Sequence, residues 1–159
     1  MAFDSSRFRQ VLGHYPTGVT VVTALSGDRP VGLTIGSFTS VSLDPALVGF
    51  LPAKSSESWP AIEAAGWFCV NVLADDQGEL CWRFARDSDD KFAEVGWHPA
   101  PSGAPILNGA TAWIDCQVHT VVDAGDHWFV MGLVHELEVE RDHAPLVFWL
   151  GKLCGVTPP

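Results

Sequence analysis

The sequence predicts a mainly β fold, a barrel or sandwich of about seven mostly antiparallel strands with two or three short helices packed outside. Three observations carry that expectation. Short segments rich in β-branched residues recur along the 159-residue chain. Turn residues separate them. Two long segments, Ala110 to Val122 and His127 to Glu140, meet at Asp123-Ala-Gly-Asp126, a hairpin signal. With 47% apolar and 18% charged residues, the chain can bury a core and does not read as disordered. No repeat or linker interrupts it, so residues 1–159 read as one domain.

The elements follow in order. Asp4-Ser5-Ser6 precedes Phe8, Val11 and Leu12, an i, i+3, i+4 pattern that predicts a short capped helix ending at Gly13. Gly18 to Ala24 reads as a strand, Ser26 to Pro30 as a turn, and Val31 to Ser37 as the returning strand. After a break at Ser42-Leu43-Asp44-Pro45, Leu47 to Leu51 is another short strand. Ser55 to Ala65 is expected to be helical, with Pro60 in its first turn and Gly66 as its stop. Phe68 to Leu73 reads as a strand, Asp76 to Ala85 as a helix, and Arg86 to Pro105 as mostly loop. Leu146 to Leu150 closes the set after the long hairpin.

Charge and composition exclude several functions. A net charge of −10 argues against nucleic acid, whose phosphates need a basic face. No apolar run reaches the roughly 18 residues of a membrane helix. The N-terminus has an early acidic residue and no apolar core, so a cytoplasmic protein is expected. Cys69, Cys81, Cys116 and Cys154 form no C-x-x-C pair and read as reduced, partly buried thiols. His119, His127, His135 and His143 recur every eight residues, but on a strand that spacing is about 26 Å, so no metal site is predicted. Seven Trp and a mean hydropathy of +0.17 hint at a buried face between copies.

Four stretches could carry chemistry. Thr34-Ile-Gly-Ser37-Phe-Thr-Ser40-Val-Ser42 offers hydroxyls and a glycine at a strand end, donors to a ligand without charge or bulk. Lys54-Ser55-Ser56-Glu57-Ser58 at an expected helix start could bind an anion, or its serines could simply cap the helix. Gly125-Asp126-His127 at the hairpin tip could contact a planar ligand or move a proton, or be an ordinary turn. Phe84-Ala-Arg86-Asp-Ser-Asp-Asp-Lys91-Phe92 places two of nine cations in an acidic loop, which solvation alone would also explain. No dinucleotide-binding glycine fingerprint, P-loop or nucleophile elbow occurs.

Taken in order, Phe8-Arg9-Gln10-Val11-Leu12-Gly13, Pro16 to Thr23, Gly32 to Pro45, Phe68 to Leu73, Asp90-Lys91-Phe92, Ala124-Gly125-Asp126-His127 and Pro145 to Phe148 resemble the flavin reductase domain family. These are the small reductase partners of two-component flavin-dependent monooxygenases. The resemblance implies an FMN-binding split β-barrel acting as a homodimer. It implies an enzyme that reduces FMN, or FAD, with NADH or NADPH and supplies reduced flavin to a separate oxygenase. Carried over by position, Thr34, Ile35, Gly36 and Ser37 would line the isoalloxazine and ribityl chain, with Ser40 and Val41 nearby. Lys54, Ser55 and Ser58 would meet the phosphate, and Arg86 a further phosphate or adenylate. His127 would lie on the nicotinamide side as the catalytic residue. The chain departs from the pattern at Gly36, where relatives often carry Asn, and after Phe148, where many have an arginine, glycines and a tyrosine. Two rival expectations are a barrel that keeps FMN tightly as a prosthetic group or sensor, and a carrier of an apolar ligand.

Overall fold

The computed structural model describes residues 3–159. Helix α1, Ser5–Leu12, starts where the Asp4 carboxylate accepts the backbone N–H groups of Ser6 and Arg7, as its sequence predicts. The strands are β1 Thr17–Gly18, β2 Thr20–Ser26, β3 Arg29–Ile35, β4 Thr39–Leu43, β5 Ala46–Phe50 and β6 Trp67–Val72. They continue with β7 Trp97–Pro99, β8 Pro105–Leu107, β9 Ala112–Ala124, β10 His127–Val139, β11 Val147–Trp149 and β12 Lys152–Cys154. Helix α2 is Trp59–Ala65 and α3 is Gly78–Ala85, entered through the 3-10 turn Asp75–Gln77. No helix among the described residues is long and apolar enough to cross a membrane.

Seven strands form one antiparallel sheet in the order β3-β2-β6-β9-β10-β5-β4. Its two edges are consecutive in the chain, and that forces the sheet to curl. Laid flat at about 4.8 Å per strand, β3 and β4 would lie roughly 29 Å apart. The link between them, Gly36 to Phe38, reaches about 14 Å fully extended. The sheet therefore rolls into a barrel, split along the seam between β3 and β4. Register shifts at Met131/Gly132 and Val134/Glu136 in the β9–β10 ladder sharpen the bend of the long hairpin.

The barrel interior is filled by Val22, Ile35, Phe50, Phe68, Val70, Val130 and, from α2, Trp59 and Ile62. Phe50 meets Trp59 and Phe68 edge-on, with ring centroids 5.8 and 5.1 Å away. A second cluster, Val19, Val21, Leu73, Cys81, Phe84, Leu107 and Leu146, packs α3 against the outside of the sheet. The β7–β8 hairpin is fastened by a buried polar knot. Asn71 Nδ2 donates to Val21 O and Thr23 Oγ1, both at 3.1 Å, and Asn71 Oδ1 accepts Leu107 N–H at 2.8 Å. All four cysteines are unpaired thiols, and Cys69, Cys81 and Cys116 are buried.

The two ends of the chain meet. Strand β1 pairs with β11, Thr17 opposite Phe148, and Leu150 N–H donates to Gly13 O at 3.0 Å. Farther along, Leu146 N–H donates to Leu73 O at 2.9 Å, and Ala74 bridges Pro145.

Several expectations need correction. Strand β4 occupies Thr39–Leu43, part of the stretch that reads as a strand end followed by a break. As an edge strand it leaves most of its residues outside the core, so no inward apolar alternation announces it. Helix α2 begins at Trp59, four residues later than expected, because residues 54–58 form turns and bends. Strand β12 follows Leu150 and Gly151, both at positive φ, and β7 and β8 lie where loop was expected.

Candidate functional site

A cleft of about 580 Å3 opens beside the seam. Four stretches line it: Leu33 to Ser37 from β3 and its exit, Leu51 to Ser56, Phe84 to Lys91, and His127 at the start of β10. Each is placed by a specific contact. As an edge strand, β3 leaves one row of backbone groups without a strand partner. Gly32 O lies on that row, since it accepts from Lys91, and the alternation of the ladder puts the Thr34 N–H and C=O on the same side. The Ser37 hydroxyl accepts Leu51 N–H at 2.9 Å and so ties the β3–β4 link to the end of β5. Ala53 bridges His127, Trp128 N–H donates to Pro52 O at 3.0 Å, and Lys54 N–H donates to Asp126 O at 2.9 Å. Those three bonds seat the hairpin tip against the 52–54 loop.

Among the sequence-predicted residues, Thr34, Ile35, Gly36, Ser37, Ser55 and His127 come together in this cleft. Their chemistry is partly committed to the fold. Thr34 Oγ1 donates to Cys81 O at 2.6 Å, holding α3 as one wall, so its contribution to a ligand is its backbone. A Cβ at Gly36 would sit 3.4 Å from Thr17 Oγ1, and the glycine presents only backbone to the cleft. His127 Nδ1 is 2.7 Å from Asp126 Oδ1. In the neutral ring that pairing puts the proton on Nδ1 and leaves Nε2 as an acceptor. The same bond holds the Asp126 carboxyl below its usual range, with the His127 charge adding to it.

The other predicted residues line different surfaces. Lys54 is flanked by the lining residues Ala53 and Ser55, yet its own side chain leaves the cleft. Its Nζ lies 2.5 Å from Asp123 Oδ2 and 4.6 Å from the centre of the Trp128 ring. Ser58 lines an adjoining hollow of about 310 Å3, and its Oγ accepts from Lys91. Arg86 lines a third hollow beside Trp82 and Arg83 and makes no ion pair among the described residues. Ser40 and Val41 sit on the exposed edge strand β4 and do not line the cleft of this chain. A helix N-terminus as anion site is also corrected: α2 is a seven-residue helix, Pro60 lacks an N–H, and Ser56 Oγ accepts Trp59 N–H at 3.2 Å.

Lys91 is the residue that sequence reasoning undervalued. Its ammonium donates to Gly32 O (3.2 Å), Ser58 Oγ (3.1 Å) and Phe84 O (3.2 Å), joining β3, the start of α2 and the end of α3 around the cleft. Three donors meet three acceptors, so Lys91 braces the walls. Burial lowers its pKa from the ordinary lysine range, while Asp87 and Glu57 pull it back up. The available sequence signal is a lysine beside Phe92 that follows a run of aspartates, since Phe92 stacks edge-on against Phe84 at 4.9 Å.

Comparison with known proteins places nearly the whole chain in one family. Residues 12–157 match the family described as flavin reductase like domain. A flavin reductase of Pseudomonas putida is 53% identical over 97% of this chain and 91% of its own. The reductase subunit of a flavin-dependent monooxygenase from Rhodococcus jostii is 48% identical over 99% of this chain and 80% of its own. An NADH:FAD oxidoreductase of Streptomyces globisporus, solved with NAD and FAD fragments, superposes with a TM-score of 0.91 at 36% identity, covering 98% and 94% of the two chains. The chain belongs to the flavin reductase like domain family and is an oxidoreductase that reduces flavin.

Proposed function

We propose that this flavin reductase takes hydride from NADH, delivers it to FMN, with FAD as the other candidate, and supplies the reduced flavin to a separate monooxygenase. One observation carries the reading. The unpaired backbone row of β3, the Ser55 and Ser56 turn and the His127 imidazole face one cleft of about 580 Å3. A planar polar ring fits that arrangement, because its edge atoms can pair with the strand backbone and no bulky side chain stands at Gly36. When both are bound, the nicotinamide supplies a hydride and the flavin ring accepts it over about 3–3.5 Å.

What the residues of the chain contribute is orientation. Thr34 to Ser37 would hold the ring edge, and Lys54 and Ser55 would meet the phosphate, with Ser58, Arg86, Ser40 and Val41 more peripheral. His127, with its proton held on Nδ1 by Asp126, offers Nε2 to the nicotinamide amide and sets its distance from the ring. Glu57, Asp87, Asp89 and Asp90 gather beside the cleft, and that negative field favours NADH over a nucleotide carrying an extra phosphate. A homodimer is supported by apolar side chains left uncovered on α1 (Phe8, Val11 and Leu12), at Tyr15 and at Leu43, which is 97% exposed. The test is NADH oxidation in air by purified protein, with and without FMN. Multi-turnover oxidation that rises with free FMN is expected. Bound yellow flavin without NADH oxidation would favour a protein that keeps its flavin.

A further inference from the structure

We propose that Asp123 competes with the phosphate of the bound flavin for Lys54, and so sets how tightly a phosphorylated flavin is held relative to one without phosphate. The inference rests on reading Lys54 as the cation for that phosphate. The geometry gives the ammonium a carboxylate partner already. Lys54 Nζ is 2.5 Å from Asp123 Oδ2 and 4.6 Å from the centre of the Trp128 ring. Asp126 feels the same charge, but its Oδ1 is taken by His127.

Loading the cleft changes only the side chain. The Lys54 backbone is fixed by its N–H bond to Asp126 O, and consecutive Cα atoms lie about 3.8 Å apart, so the lysine stem can swing to the Ser55 side. A phosphate there must draw Nζ away from Asp123 and from the Trp128 face. Both partners of the ion pair are solvent-accessible, with the Asp123 side chain 69% and the Lys54 side chain 33% exposed. Exposed ion pairs exchange partners at small net cost, so the expected effect is a modest factor rather than loss of binding. A reductase that must release its product benefits from an anion waiting to recapture the lysine.

The experiment compares FMN and riboflavin, which differ only in the phosphate. Dissociation constants would be measured by flavin fluorescence for the wild-type protein, Asp123→Asn and Lys54→Met, with FMN release followed by stopped flow. Asn keeps the Oδ1 that accepts Gly125 N–H, so the hairpin turn is preserved. Asp123→Asn is expected to bind FMN about threefold to tenfold tighter and release it correspondingly slower, with riboflavin unchanged. An unchanged or weaker FMN-to-riboflavin ratio in that variant overturns the proposal and makes Asp123 an orienting partner of Lys54. Lys54→Met is expected to bring FMN down toward riboflavin. If it leaves the ratio untouched, the phosphate reading of Lys54 itself fails.

Discussion

The Ser37 hydroxyl accepts the backbone N–H of Leu51 at 2.9 Å, a side-chain bond that joins the barrel seam to the end of β5 beside the cleft. Ser37→Ala leaves that partly buried N–H without an acceptor. The expected cost is about 1–3 kcal/mol of stability. Thermal melting should show it, together with weaker flavin affinity, since the β3–β4 link is no longer held.

His127→Ala removes the Nε2 acceptor while leaving the β9–β10 ladder intact. We expect kcat/KM for NADH to fall by a factor equivalent to about 1–3 kcal/mol, at saturating flavin. An unchanged value would take His127 out of the nicotinamide site.

Lys91 links pH to stability with a definite sign. Its folded pKa lies below the ordinary value because burial disfavours the charge. The penalty is fully present below the folded pKa and fades as pH rises from there toward the unfolded value of about 10.4. The stability of the wild-type protein relative to Lys91→Met should therefore grow across that alkaline window. Urea melts of both proteins at neutral and alkaline pH measure it, and a constant difference would contradict the assignment.

Gly132 faces the rigid ring of Phe68, which is fully buried. An added Cβ would also lie 3.1 Å from Cys116 Cβ, so the ring has no room to retreat. Gly132→Ala should destabilise the protein by about 1–3 kcal/mol through overpacking. Denaturant unfolding should report a lower midpoint at unchanged slope.

The thiols should react unequally. Burial pushes Cys116 up to about 12 and raises Cys69 and Cys81, whereas Cys154 is only half-buried on β12. A thiol reagent near pH 8 should modify Cys154 quickly in the native protein and the other three only after denaturation. Cys154→Ser should abolish the fast phase.

The elements legible in the sequence were those whose pattern is imposed by the core. Val21, Val22 and Ala24 of β2 and the Asp123–Asp126 turn announce themselves because one face must be buried or one turn must close. Strand β4 was not legible, since Thr39, Ser40 and Val41 are all exposed and burial wrote no alternation there. The start of α2 is hidden because any of several serines can cap a helix, and it is the Ser56 hydroxyl, rather than that of Ser55 or Ser58, that accepts the Trp59 N–H. The site shows the same division. The convergence of Thr34 to Ser37 with Ser55 and His127 is what the family resemblance implies, whereas Ser40, Val41, Lys54, Ser58 and Arg86, expected beside them, do not line this cleft. What their side chains do depends on partners far away in sequence, as with Thr34 on Cys81 and Lys54 on Asp123.

The pairing of β1 with β11 has a consequence for how the protein comes off the ribosome. Thr17 finds Phe148 only after about 130 further residues have been made, and Gly13 waits slightly longer for Leu150. The hairpins β2–β3 and β4–β5 can form early and β6 can join β2, while the other edge of β6 must await β9. The emerging chain therefore carries β1 without its strand partner until β11 has been made, so that closing contact joins segments far apart in sequence.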